Sequence, residues 1–313
     1  MTRHYDLITI GVAVVDSIIR GFDPHPVSAS GYRAESGTLN AGGEAVNQAV
    51  AAAKLGMKTG ILCSLGNDAA GDLIAAHLEK EGVDTSLIRR DSAHSTPVAT
   101  IFAHEDRTRQ SITNSAHRYN FHPENITEAF SDTRAILLGS LLRAPFDDPG
   151  IIREVLHFAK CRGILTFADT KLPNFRKLTL DDLKDSLGLI DYITPNEDEA
   201  RYCTKKEDPA EMAEVFLSYE VQNVLIKLGA KGLFFKNRDM AVALPALPVN
   251  AIDATGAGDN LAAGFASEIL RGSSIEDALR FANACGAICT TAVGAGTALK
   301  SREQVLNFLK TRQ

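Results

Sequence analysis

The stretch that decides the fold runs "VNAIDATGAGDNLAAGF", from Val249 to Phe265. Two aspartates, Asp253 and Asp259, bracket a segment with almost no side chains, Ala254 to Gly258. Beyond it Leu261, Phe265 and Ile269 recur at four-residue spacing, the signature of a helix with one buried stripe. A side-chain-poor turn that runs into a helix offers backbone N–H groups to whatever lies in front of it. Such a terminus carries roughly half a positive charge, so its natural guest is an anion, often a phosphate. Asp259 would fall in the first helical turn, where its carboxylate is electrostatically favoured. There it could take the proton of a hydroxyl aimed at the same N–H groups. Taken alone, Gly256-Ala257-Gly258-Asp259 is equally a glycine turn with an aspartate cap.

Outward from that turn, short β-type runs alternate with helical segments. "DLITIGVAVVD" reads as one strand, "GEAVNQAVAAAKLG" as a helix stopped at Gly56, "TGILCSLG" as a strand and "DAAGDLIAAHLEKEG" as a helix ending at Gly82. "AILLGS" precedes a helix that starts at Asp148-Pro149, and "GILTFAD", "LIDYITP" and "NVLIKLG" follow as strands. This alternation predicts a mainly parallel sheet covered by helices on both faces, an α/β sandwich with its site beyond the strand ends. Residues 17–40 and about 95–120 carry no helical pattern and are expected to form extra strands, a small β-lid inserted in a single domain spanning 1–313. Ser273…Glu276 and Ser301…Gln304 look like capping boxes.

Composition excludes several classes. The 313 residues are 45% hydrophobic and 23% charged with net charge −6, ordinary for a soluble globular chain. No basic run offers a footprint for nucleic acid or a membrane surface. The N-terminal apolar stretch is too short for a signal peptide, no run reaches membrane-spanning length, and the cytoplasm is the expected compartment. The five cysteines include no CxxC pair and read as reduced, mostly buried thiols rather than a zinc site. No GxxxxGK[ST] loop is present, and no GxGxxG follows the first strand, which argues against a nicotinamide dehydrogenase.

Two further stretches carry polar groups at suggestive positions. In "NAGGEAVNQAV", Gly42 and Gly43 permit close backbone approach, and Asn47 offers both a donor and an acceptor, a combination that suits a polyol. Tight helix-on-sheet packing would explain the glycines as well. In "TPNEDEA", Asn196 and Glu199 suit a water-held Mg²⁺ beside phosphates, and equally an ordinary capping box.

The order and spacing of all three stretches resemble the ribokinase-like (PfkB) sugar kinase family. The resemblance spans almost the whole chain, with "GNDAAG", "KLGAKG" and "ANACGAICTTAVGA" as supporting pieces. It implies a three-layer α/β/α sandwich with a β-lid, ATP as phosphoryl donor with Mg²⁺, and a primary alcohol of a sugar as acceptor. Asp259 would be the base, and the N–H groups of Gly256, Ala257 and Gly258 the anion hole. Asp16, Gly42, Gly43 and Asn47 would grip sugar hydroxyls. Asn196 and Glu199 would organise Mg²⁺ and the triphosphate through water, and Lys227, Gly229, Gly232 and Asn283 would line the nucleotide. A monovalent cation, usually K⁺, is implied beside Asp253, Thr255 and Gly294, and a lid edge could join two chains as a homodimer.

The sequence also departs from the family pattern. Ala254 follows Asp253 where threonine is frequent, and Asp169-Thr170-Lys171 replaces the Asp-x-Asn-x-Arg of many members. Leu141, Leu142 and Arg143 occupy the loop where a ribose-specific member would carry an acid, which makes ribose a less favoured acceptor. Arg143, Lys171 and Arg107 or Arg109 instead suggest an acidic acceptor, unless they are solvated surface charges. A nucleoside kinase and a non-catalytic sugar-binding protein are the rivals. The intact Asp259 and its glycines disfavour the second.

Overall fold

The computed structural model describes residues 4–20, 34–103, 109–114 and 132–312. In chain order the first half contains β1 (Tyr5–Ile10), β2 (Val14–Arg20), β3 (Ser36–Gly42), α1 (Glu44–Lys54), β4 (Thr59–Leu62), β5 (Ser64–Gly66), α2 (Ala69–Lys80), β6 (Arg89–Asp91), β7 (Val98–Ala103) and β8 (Arg109–Thr113). Next come β9 (Thr133–Leu141), α3 (Pro149–Cys161), β10 (Leu165–Thr170), α4 (Lys184–Leu187), β11 (Tyr192–Ile193), α5 (Glu197–Thr204) and α6 (Pro209–Ser218). The chain closes with β12 (Asn223–Lys227), β13 (Leu233–Asn237), β14 (Ala241–Leu244), α7 (Ala257–Arg271), α8 (Ile275–Cys289) and α9 (Arg302–Lys310).

Among the described residues the main sheet has the order β14-β13-β12-β11-β10-β9-β1-β4. Its strands are parallel from β12 through β4, while β13 and β14 add an antiparallel edge. Side chains alternate across it as a strand period of two requires. Ile8, Ile10, Ile136, Leu138, Ile193 and Ile226 pack with α3, α5 and α6 on one face. Leu7, Leu137, Phe167 and Leu225 pack with α7 and α8 on the other. Leu261 and Phe265 lie in that second core as their spacing predicts, with Phe265 edge-on to the stacked Phe167–Tyr192 pair. No described helix is long and apolar enough to cross a membrane.

The expected lid is a four-stranded sheet of order β3-β2-β7-β8. Its first strand begins at Val14, three residues before the expected start, and the reason lies in the run read as a single strand. "DLITIGVAVVD" breaks at Gly11: β1 stays in the main sheet and β2 leaves for the lid. Both halves are apolar, so hydropathy shows no seam. "TGILCSLG" likewise splits, and β5 pairs with β6 in a small separate ladder. One cap moves by a residue. Ser274, not Ser273, caps α8 by accepting from Asp277 N, because Ser273 Oγ is spent on Glu268. Ser301 caps α9 as predicted, and Asp68 of "GNDAAG" caps α2. Cys161 is exposed; Cys63, Cys285 and Cys289 are buried.

Candidate active site

Two helix N-termini meet at the C-terminal edge of the main sheet. Gly256 precedes α7 with φ 76°, and a Cβ there would lie 2.3 Å from the Ala295 side chain, so both conformation and space call for glycine. Asn260 holds the turn from behind, its Nδ2 donating to the Gly256 and Ala295 carbonyls at 2.8 Å. The Ala257 N–H closes onto the Ala254 carbonyl at 3.2 Å. In the first turn the N–H groups of Gly258 and Asp259 are left without an intrahelical acceptor. Asp253 ties the approach to the helix together. Its Oδ1 accepts from Thr255 N and Oγ1 at 3.0 and 2.7 Å, and its Oδ2 accepts from Gly294 N at 3.0 Å. The three residues expected around a monovalent cation are thus neighbours.

Asp259 is held from α1. Asn47 Nδ2 donates to its Oδ2 at 2.8 Å and Gln48 Nε2 to its Oδ1 at 3.3 Å. Burial, then the charges of Glu44 and Asp169, push the Asp259 carboxyl up to about 7, against the pull of Lys171 and the Asn47 hydrogen bond. A carboxyl with that proton affinity lies close to the neutral range in which general bases work best.

Asp16, Glu44 and Lys171 form a charged cluster beside Asp259. Gly42 and Gly43 link β3 to α1 where no side chain fits: a Cβ on Gly42 would lie 2.3 Å from Asp16 Oδ2, and one on Gly43 2.4 Å from the Val12 carbonyl. Burial and the Glu44 charge raise Asp16 to about 6. Burial would also raise Glu44, but Lys171 Nζ at 2.6 Å and the Ser140 hydroxyl, donating at 2.7 Å, outweigh it and hold Glu44 at about 2. Glu44 in turn raises Lys171. Arg143 donates from Nε and Nη2 to the Leu172 carbonyl at 3.0 and 2.7 Å, which ties its guanidinium to the loop after β10. Arg107 lies outside the described residues, and Arg109 is placed only as the first residue of β8.

At the far end, Asn196 and Glu199 form a complete capping box at the start of α5, with Asn196 Oδ1 accepting from Glu199 N at 2.9 Å. Glu199 Oε2 accepts from Asn196 N and from Thr170 Oγ1, both at 2.8 Å, and burial raises its carboxyl. Gly229 and Gly232 form the turn after β12, where Leu228 N donates to the Gly232 carbonyl at 2.8 Å. Asn283, on α8, donates to the Pro245 carbonyl at 2.8 Å. Lys227 is placed differently from these. It ends β12 as a buried residue with Nζ 2.6 Å from Asp169 Oδ1.

Residues absent from the sequence reading complete the site: Gln48, Glu44, Ser140, Asp169 as an ion-pair partner, and Asn260. Gln48 had a signal, since it is a polar residue inside the apolar run "AVNQAVAAA" and one turn after Glu44.

Free amides at a helix N-terminus, a near-neutral carboxylate beside them and a cluster of polar side chains at the sheet edge fit an α/β phosphotransferase that acts on an alcohol. Residues 9–302 match the pfkB family of carbohydrate kinases, and the chain belongs to that family. Among its relatives is a ribokinase of Haemophilus influenzae, 31% identical over 86% of this chain and 87% of the relative. Another is a 2-dehydro-3-deoxygluconokinase of Bacillus subtilis, 27% identical over 279 residues, 85% of this chain and 86% of the relative. The structure of Arabidopsis thaliana ribokinase complexed with ribose and ATP superposes with a TM-score of 0.86 at 27% identity, covering 99% of both chains. The protein is a carbohydrate kinase with the ribokinase-like fold.

Proposed function

We propose that the whole chain acts as one catalytic unit that moves the γ-phosphoryl group of Mg-ATP to a primary hydroxyl of a neutral sugar. Asp259 accepts the hydroxyl proton, the freed oxygen forms a bond to the γ-phosphorus, and the bond from that phosphorus to the β–γ bridging oxygen breaks to release ADP. The N–H groups of Gly258 and Asp259 stabilise the charge on the transferred group, the kind of contribution that dominates phosphoryl transfer. The observation that carries this reading is the seating of Asp259: both carboxylate oxygens held by α1 amides, at the head of α7, with a proton affinity near neutrality. Asp16, Asn47, Gly42 and Gly43 take the sugar hydroxyls in this reading.

The neutral acceptor follows from charge. Among the described residues Asp16, Glu44 and Asp259 face a half-buried cation, Lys171, which is already paired with Glu44. An acidic acceptor would have to displace Glu44 from Lys171, and Arg143 is turned to Leu172. Glu199, an oxygen donor near the expected triphosphate, has the hard-ligand chemistry that fits Mg²⁺ held through water. Bound with ATP, the metal neutralises charge on the β- and γ-phosphates. Asp253 already joins Thr255 to Gly294, so K⁺ there would stiffen a shape the loop holds. Self-association through the lid is supported by one cross-strand row, Leu39-Ser17-Thr100-Ile112. Its two apolar ends, Leu39 and Ile112, are 61% and 70% exposed. Sedimentation of L39S/I112S beside wild type tests it: a shared mass would remove the lid as the interface.

The test of the main reading is ADP release with Mg-ATP against neutral aldoses and ketoses, sugar acids, sugar phosphates and nucleosides. Wild type should turn over a neutral sugar, and Asp259→Asn should lose about 10³-fold or more of kcat with ATP binding unchanged. Preference for a sugar acid would overturn the charge argument, preference for a nucleoside the acceptor class, and full activity of Asp259→Asn the base.

A further inference from the structure

The least expected group in the site is a buried lysine. Lys227 Nζ and Asp169 Oδ1 stand 2.6 Å apart with side chains only 10% and 4% exposed. A Cβ built on Gly258 would lie 3.3 Å from that same Nζ, so the ammonium rests against the first turn of α7. Asp169 passes the contact on: its Oδ2 accepts from Gln48 Nε2 at 3.1 Å, and the same Nε2 donates to Asp259 Oδ1 at 3.3 Å. Thr194 Oγ1 and Thr170 N, both at 3.1 Å, fix Asp169 from other sides. Gln48 Oε1 is buried without a hydrogen-bond partner, so the amide is oriented by its donor end, that is, by the two carboxylates alone.

We propose that Lys227 is a positioning residue for phosphoryl transfer. It acts through Asp169 and Gln48 to hold the Asp259 carboxylate in line, and it keeps a fixed positive charge behind the turn that binds the transferred group. This role rests on the reading of Asp259 as the base. It departs from the nucleotide-lining role that family resemblance attaches to this position, because a side chain sealed under α7 and neutralised by Asp169 has little left to offer a ligand. An unpaired Asp169 would also have reason to compete for the Gln48 amide with Asp259. The ion pair satisfies Asp169 Oδ1 from the opposite side, and Gln48 Nε2 serves Asp169 Oδ2 and Asp259 Oδ1 together.

The titratable groups facing Asp259 come from every element around it: Glu44 from α1, Asp169 and Lys171 at the end of β10, Lys227 from β12 and the Cys289 thiol from α8. Of these, Lys227 and Lys171 favour the ionised base, Glu44 and Asp169 oppose it, and the Cys289 thiol, pushed up to about 12, is neutral. Loss of Lys227 therefore raises the pH at which Asp259 gives up its proton.

The experiment compares wild type, K227M, K227R, K227M/D169N and D259N. The readouts are kcat, KM for each substrate, the acid limb of the pH–rate profile, Mg-ATP affinity by calorimetry, and thermal midpoint. K227M should lose about 10–100-fold in kcat, the scale of a slightly misplaced reactive group. Its Mg-ATP affinity should stay within about twofold and its acid limb should move to higher pH, while K227R recovers most of kcat. K227M/D169N leaves no lone buried charge, so it should regain the thermal midpoint without regaining kcat. Recovery of kcat in the double variant would reduce the pair to a folding role. A tenfold weaker Mg-ATP affinity with kcat intact would return Lys227 to the nucleotide. If D259N remains active, the base assignment fails and this inference fails with it; if D259N is dead but K227M is not, only the inference fails.

Discussion

Two lysine–acid pairs flank Asp259, and their lengths are the same: 2.6 Å for Lys171–Glu44 and 2.6 Å for Lys227–Asp169. Their surroundings differ. In the first pair the lysine side chain is 38% exposed and the acid 17%; in the second the values are 10% and 4%. Glu44 has one further side-chain donor, Ser140, whereas Asp169 accepts from Gln48, Thr194 and the Thr170 amide as well as from Lys227. Distance alone therefore does not rank them. The open pair stands on the proposed acceptor side, where its partners could exchange a contact for a sugar hydroxyl or for water. The sealed pair has no such exchange, because every replacement partner would also have to be buried. The site thus places an adjustable charge on the acceptor side of its base and a fixed one beneath it.

The largest effect that could break this contrast is on stability. Asp169→Asn leaves the Lys227 ammonium buried without its counter-charge, a defect that costs about 3–5 kcal/mol. Lys171→Met breaks a pair that water reaches, and is expected to cost no more than about 1 kcal/mol. Urea denaturation of the two variants at pH 7 reads the difference directly as midpoints at constant slope. Equal losses would mean that the open pair is as structural as the sealed one.

A smaller effect concerns the base between the pairs. The Asp259 carboxyl binds its proton more tightly in the folded chain, at about 7, than in the unfolded chain. Between the ordinary carboxylate range and pH 7 the native state therefore holds more protons than the unfolded state, and stability falls as pH rises through that window. Asp259→Asn removes the ionisation. It should be more stable than wild type by about 1–3 kcal/mol at pH 8, and the advantage should vanish near pH 4, where the wild-type carboxyl is neutral too. A variant of equal stability at both pH values would show that the surroundings do not oppose the charge on Asp259.

How much of this was legible in the sequence follows from how far each signal reaches. The turn into α7 was, because Gly256 to Asp259 and the Leu261–Phe265 spacing are local. The lid was too, because residues around 95–120 lack a helical period. The break at Gly11 was not, since apolar residues on both sides serve equally well in either sheet. The pairings around Asp259 were hidden for a different reason. Asn47 and Gln48 lie 212 and 211 residues from Asp259, and Lys227 lies 58 from Asp169. A lysine at the end of an apolar strand reads as a group emerging toward ligand or solvent, and nothing in "NVLIKLG" says that α7 covers it. Glu44 and Lys171 were each visible as charges, but only the meeting of α1 with the end of β10 makes them a pair. Of the basic residues Arg143, Lys171 and Arg107 or Arg109, the first donates to the Leu172 carbonyl and the second pairs with Glu44, while Arg107 lies outside the described residues.

The smallest effect is the finest probe of the open pair. Glu44→Gln removes a negative charge that raises Asp259, and Lys171→Met removes a positive charge that lowers it. The acid limb of kcat/KM should therefore move to lower pH in the first variant and to higher pH in the second, each by roughly half to one unit. The signs separate this pair from mere packing, since a generic loosening of the pocket would move both limbs the same way. Adding a saturating neutral sugar sharpens the contrast further. If the acceptor inserts between Glu44 and Lys171, the wild-type kcat profile shifts relative to kcat/KM, whereas a variant of either partner has no pair left to open. Opposite shifts that persist unchanged in the bound complex would instead mean that the sugar leaves the open pair closed, so that Lys171 shapes the field at Asp259 without touching the acceptor.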